Sequence, residues 1–252
     1  MWSDGLCGTG LPEGSETLTG GEIGVPAYVS ADPVRRRQPG RLVAWGVLVG
    51  LLAAASYAAR LSGGNPPHDV LYLWSTFAGA LLQYGIMFVL ILAIAHGLDR
   101  LLLGLEVPGA FGRAVGLAFV ALALIIASTV ALSPFLDAGD EQGLVPKVWD
   151  SSRAVPFLAN AAVVCLVAPF VEELLFRGLG FGLLTQFVGP WPAILVTGGA
   201  FGLAHGLVLG LPVLSIFGIT LGWLRWQTGS VYPGMVVHAL FNAAALAAAV
   251  AL

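Results

Sequence analysis

An all-α fold, a polytopic transmembrane helical bundle of seven or eight spans with a polar pocket between helices, is predicted by features of the chain, three of which set the fold class. The first is composition: 58% of the 252 residues are hydrophobic and 10% charged, with a mean hydropathy of +0.89, against about 25% charged residues in an ordinary soluble domain. The second is patterning, a series of apolar runs near the ~20 residues that cross a bilayer as a helix, separated by breaks rich in Gly, Pro and charge. The third is the abundance of Ala, Gly and Leu, the small and flexible residues with which membrane helices pack closely.

Residues 1–40 are rich in Gly, Pro, Ser, Thr and acids and hold no run able to form a core, so they are expected to be a flexible polar N-terminal arm. No cationic stretch precedes a short apolar one there, so the arm does not read as a signal peptide. It ends in Arg35, Arg36, Arg37 and Arg41, and basic residues beside a first span place that end in the cytoplasm. Residues 41–153 form a unit of N-terminal membrane helices, with spans expected at 42–60, 70–96 and 114–133. Arg60 at the far end of the first span is one charge against four. The connection 97–113, with Arg100 and Arg113, reads as cytoplasmic. The connection 134–153, where Asp137, Asp140, Glu141 and Asp150 face Lys147 and Arg153, reads as the opposite side. Tyr72 and Trp74 fit an interfacial aromatic belt, as do Trp191, Trp223, Trp226 and Tyr232; His68 and His96 lie at span ends.

Residues 154–252 form a third unit, the expected catalytic core. Apolar segments lie at 154–187, 190–208, 211–226 and 231–252. The first is too long for one simple crossing and contains Pro169, so it is either one bent helix or two shorter ones. The net charge of −3 excludes little with so few charges, and no basic patch points to nucleic acid. Cys7 and Cys165 make no disulfide framework.

Across 154–252 the formal charges are Glu172, Glu173, Arg177 and Arg225 alone. Carboxylates at membrane depth cost several kcal/mol unless paired, hydrated or neutralised, so they mark function. Glu173 and Arg177 are four residues apart, which brings opposite charges together on one helix face. Phe201 and His205, and His238 and Asn242, repeat the spacing. With the break at Gly189 as the axis of a helical hairpin, Glu172 and His205 each lie about 16 residues away, hence at one level about 24 Å from the turn. The later breaks bring His238 and Asn242 to within about one helical turn of that level.

Such a pocket has two readings. Glu172 beside His205 can hold and deprotonate a water, while His238 and Asn242 donate hydrogen bonds to the oxyanion formed on a peptide carbonyl. Alternatively Glu172, His205 and His238 are ligands of a catalytic zinc or other divalent metal with an open position. The cofactor is therefore zinc, another divalent metal or none. Glu173 and Arg177 support the site as an ion pair, and Phe201 is pocket wall or packing.

EELLFR at 172–177, FGLAH at 201–205 and HALFN at 238–242 resemble, in order and spacing, the EExxxR, FxxxH and HxxxN motifs of the CPBP intramembrane proteases, the CAAX prenyl protease 2, Abi and bacteriocin-processing type. The resemblance covers residues 154–252. It implies a membrane-embedded peptidase with Glu172, His205, His238 and Asn242 in the catalytic roles above, acting by a metalloprotease or glutamate-type mechanism. The implied substrate is a CAAX-type prenylated or other membrane-associated peptide or protein met in the lipid bilayer, with no nucleic acid partner. The Ala- and Gly-rich composition points to a bacterium, and the expected location is the bacterial inner membrane with the N-terminus in the cytoplasm. The competing functions are a non-catalytic membrane binding or immunity protein of the same fold, and a transporter using buried carboxylates as a proton relay, which the absence of an inverted repeat disfavours.

Overall fold

The computed structural model describes residues 37–63, 69–136 and 149–251. Most of the expected arm, with Cys7, Arg35 and Arg36, lies outside the described residues, as do His68, Asp137, Asp140, Glu141 and Lys147. Every regular element among the described residues is helical. They are α1 (Pro39–Gly63), α2 (Trp74–Ala95), the short α3 (Arg100–Leu103), α4 (Phe111–Leu132), α5 (Ser151–Val188), α6 (Pro190–Ala204), α7 (Leu211–Thr228) and α8 (Tyr232–Ala251), with short 3-10 turns between some of them.

The span count differs from the expected seven or eight. Among the described residues five helices are long and apolar enough to cross a membrane, namely those at Pro39–Ser62, Trp74–Ala95, Phe111–Phe135, Ser151–Val188 and Tyr232–Val250. The expected span at 190–208 stops early. His205 ends α6, and Gly206 follows at φ 66°, a left-handed conformation that halts helices. The remaining 15 residues extend about 22 Å, less than the ~30 Å hydrocarbon layer. The 18-residue α7 carries Ser215, Thr220, Arg225 and Gln227 and is not among the five. The expected division of 154–187 also resolves: it is one continuous helix of 38 residues.

Pro169 does not end α5. Proline has no N–H to give to the carbonyl of Cys165, and its ring clashes with that carbonyl in a regular α-helix. The chain widens into a π-helical turn over Val163–Val167 immediately before it, and the α-helix resumes at Ala168 with the proline in its first turn. A second π-helical stretch covers Leu174–Gly180. Such widened turns are frequent where a helix carries functional side chains, and the two stretches bracket Glu172 and Glu173.

Helix α5 is the central element, and α6 returns antiparallel to its end after Gly189 at φ 77°. Small residues set the closest crossing. A Cβ on Gly218 of α7 would lie 2.6 Å from the Gly198 carbonyl oxygen of α6, so the two backbones touch where any side chain would separate them. On its other side α5 meets α1: Trp45 donates its indole N–H to the Leu175 carbonyl at 3.0 Å, and a Cβ on Gly180 would overlap that ring. One apolar core joins Trp45, Met87 and Ile125 of the N-terminal helices to Leu175, Leu179, Phe201, Leu221 and Val237.

The aromatic belt is realised in part. Trp74 and Trp191 are exposed, and the Trp191 ring packs on that of Trp226 at 5.1 Å. Tyr72, in contrast, is buried. Its ring packs on Phe157 and lies under the Arg153 guanidinium at 4.7 Å, and its hydroxyl accepts the Asp150 backbone N–H at 3.2 Å. It closes the chain entry to α5 and does not face lipid.

Candidate active site

Helices α5, α6 and α8 deliver the motif side chains to one place. Glu172, Phe201, His205, His238 and Asn242 all line a single cavity, together with Tyr84 of α2 and the apolar side chains of Leu214, Phe217 and Phe241. The hairpin geometry read from residue counts is therefore met in three dimensions. A second cavity lies on the other side of the carboxylate, lined by Ser56, Gln83, Met87, Leu175, Phe176 and Ala204. The residues common to both linings are Tyr84, Glu172 and His205.

The paired glutamates have different surroundings. Glu173 is fully buried, and its Oε1 accepts from Arg177 Nη1 at 2.7 Å. Arg177 is equally buried and donates from Nη2 to the Gly218 carbonyl at 2.9 Å, while its guanidinium stacks over the Phe201 ring at 4.7 Å. This answers the expectation of an i,i+4 pair and adds a tie from α5 to α7. The same Glu173 Oε1 lies 3.1 Å from His238 Nδ1. Glu173 thus bridges the cation of its own helix and the histidine of α8, a second task that residue spacing did not reveal.

Among the described residues no Lys or Arg forms an ion pair with Glu172. Its Oε1 accepts the Tyr84 hydroxyl at 2.8 Å, and its Oε2 faces His238 Nε2 at 3.7 Å. Tyr84 is the residue missed in reading the sequence. A phenol at the middle of the apolar α2 was itself the signal, because a buried tyrosine hydroxyl needs a polar partner.

The histidine tautomers follow from their partners. His205 Nδ1 lies 2.8 Å from the Phe201 carbonyl oxygen. A carbonyl can only accept, so Nδ1 carries the proton, and Nε2 of the neutral ring presents its lone pair. His238 Nδ1 likewise donates to the Glu173 carboxylate, which already holds Arg177 as a counter-ion. Helix α1 fixes the turn that carries His205: Ser56 donates its hydroxyl to the Ala204 carbonyl at 2.9 Å and Tyr57 to the Leu207 carbonyl at 3.0 Å.

Phe201 is both wall and packing. It lines the cavity and touches the rings of His205 at 4.6 Å and His238 at 5.7 Å. Asn242 donates one amide N–H to the Val164 carbonyl at 2.9 Å, within the first π-helical turn of α5, which fixes its position and leaves a second N–H on the same amide. Among the described residues no three His, Cys, Asp or Glu side chains are grouped as ligands of one metal ion. Glu172, His205 and His238 share a cavity, but one carboxylate oxygen is held by Tyr84 and the set does not converge on a single point.

Comparison with known proteins agrees with this region. Residues 154–244 match the model of the family described as type II CAAX prenyl endopeptidase Rce1-like. Among curated proteins, YdiL of Bacillus subtilis (strain 168), itself described as a candidate membrane peptidase, is 27% identical over 104 residues, covering 41% of this chain and 42% of that protein. The matched stretch is thus less than half the length of that relative. No solved structure gives a match.

Proposed function

We propose that this chain, whose residues 154–244 belong to the CPBP intramembrane proteases as an Rce1-like core, is an intramembrane endopeptidase that hydrolyses a peptide bond with water activated by Glu172 and His205. The observation that carries the reading is the convergence of Glu172, His205, His238 and Asn242, from three helices, on one cavity. A water between Glu172 and the Nε2 lone pair of His205 gives one proton to the carboxylate as its oxygen attacks the peptide carbonyl. A C–O bond forms, and the carbonyl electrons move onto oxygen. The second amide N–H of Asn242 donates to that oxyanion, and His238, its Nδ1–H held by Glu173, donates from Nε2 when the ring carries a proton there as well. Glu172 then passes its proton to the leaving nitrogen as the C–N bond breaks. Glu173 and Arg177 hold His238 and Phe201 in register.

The substrate in this reading is a CAAX-type prenylated or other membrane-associated peptide, and the protein resides in a bacterial inner membrane with its N-terminus in the cytoplasm. Two observations support a substrate with apolar side chains: the largely apolar lining of the motif cavity, formed by Leu214, Phe217, Phe241 and Leu246 among others, and its position between membrane helices. The test is cleavage of a quenched farnesylated CAAX peptide and an unmodified peptide panel by purified protein in detergent. Glu172→Ala and His205→Ala are expected to abolish turnover while retaining the folded melt. Wild-type rates in either variant, or an inert wild type, overturn the assignment.

A further inference from the structure

The motif residues of α5, α6 and α8 leave one feature of the site unexplained, which is what fixes the Glu172 carboxylate. Among the described residues its hydrogen bond comes from Tyr84 at 2.8 Å. Tyr84 belongs to α2, seventy residues before the segment that matches the family. It also lines both cavities that meet at Glu172 and His205.

We propose that Tyr84 is a positioning residue for the hydrolysis assigned to Glu172, its phenol holding Oε1 so that Oε2 is the oxygen presented to water, His205 and His238. The inference rests on the peptidase reading above. A carboxylate on a two-carbon stem has several rotamers, and an apolar cavity wall does not choose among them. An O–H donor from a neighbouring rigid helix does, and a donor to an ionised acceptor makes the shorter and stronger class of hydrogen bond. Because the carboxylate accepts only, the phenol proton has a single direction, and the two carboxylate oxygens become unequal: Oε1 is occupied, and Oε2 lies 3.7 Å from His238 Nε2. Packing keeps the donor in place. One turn along the same face of α2, Phe88 packs on Phe170 of α5 at 5.8 Å, and Met87 is buried in the core, so the register of α2 on α5 does not depend on the hydroxyl.

The competing account is a plain interhelical tie, in which the hydroxyl joins α2 to α5 and does nothing for turnover. The two differ in what Tyr84→Phe changes. With the full chain in detergent and the farnesylated CAAX peptide as probe, Tyr84→Phe is expected to lower kcat by about 10- to 100-fold, the scale of a misplaced reacting group, with KM within about twofold and the thermal midpoint unchanged. Replacing Tyr84 by 4-aminophenylalanine, which returns an N–H donor to the same position, is expected to recover most of the lost kcat. Glu172→Gln, measured alongside, separates the two levels of argument. If Glu172→Gln is inert while Tyr84→Phe keeps a wild-type kcat, the positioning role fails and the peptidase reading stands. If Glu172→Gln turns over normally, or the wild type is inert, the peptidase reading itself fails and takes this inference with it. If Tyr84→Phe lowers the melt and the 4-aminophenylalanine variant restores the melt but not kcat, Tyr84 is a structural tie only and the inference is overturned.

Discussion

His238 Nδ1 lies 3.1 Å from Glu173 Oε1, so the second glutamate of the pair orients a histidine on another helix while also holding Arg177. The arrangement is a buried relay of cation, carboxylate and imidazole: Arg177 neutralises Glu173, Glu173 accepts from His238 Nδ1 and so orients the ring, and the far nitrogen of His238 faces Glu172. Removing Arg177 or Glu173 leaves a buried charge or an unfixed ring, and that consequence can be measured.

Glu173→Gln leaves the fully buried Arg177 without its counter-ion. Breaking a buried pair in this way costs about 3–5 kcal/mol, so a large drop of the thermal midpoint in detergent is expected, together with loss of turnover. Glu173→Gln with Arg177→Met removes both charges and is expected to be less destabilised than the sum of the single variants, the sign of direct coupling. Additive losses would show that the two side chains act separately.

His205 is half-buried and sits at the end of α6 in a turn already tied to α1 by Ser56 and Tyr57. His205→Ala is therefore expected to keep the wild-type melt while turnover falls by about 10²–10⁴-fold, the usual contribution of a proton-transfer group. A fall of less than about tenfold would remove His205 from the water-activating pair.

Gly104 has a positive φ of 67°, and a Cβ there would overlap the Arg225 guanidinium, which donates to the Leu102 carbonyl at 3.2 Å. Gly104→Ala combines a left-handed strain of about 1–2 kcal/mol with displacement of a buried cation, so a lowered melt is expected. Turnover per folded molecule should be unchanged, because the site residues lie elsewhere. A loss of kcat without a loss of stability would contradict this.

Asp150, at the entry to α5, accepts from the Ser152 hydroxyl at 2.6 Å and from Arg153 Nε at 2.6 Å. These bonds, Ser152 first, hold its carboxyl down from 3.8 to about 2. A pKa depressed in the folded state adds stability that is complete above the unfolded value and is lost as pH falls through the folded one. Asp150→Asn is thus expected to lower the melt at pH above about 4, with the difference from wild type shrinking as pH falls toward and through about 2, as read by thermal scans across that window. A constant difference at all pH values would remove the charged form from the account.

The helical class, the membrane-scale runs and the motif side chains that meet in one cavity, Tyr84 apart, were legible in the sequence, because each has a local cause: hydropathy over ~20 residues, spacing of four along a helix, and the high cost of charge in lipid. The depth match of Glu172 and His205 was legible too, since a hairpin of rigid helices converts residue number into height. Tertiary structure decided what depends on neighbours. Among the described residues the spans number five because Gly206 stops α6 early and α7 carries polar residues through its length, and the continuity of α5 past Pro169 depends on a π-helical turn that hydropathy does not register. The same holds for the fixing of Glu172 by Tyr84 and of His238 by Glu173, contacts across 88 and 65 residues of chain. A periodic pattern tells a residue which face it occupies, but only the packing of helix against helix tells it which partner it meets.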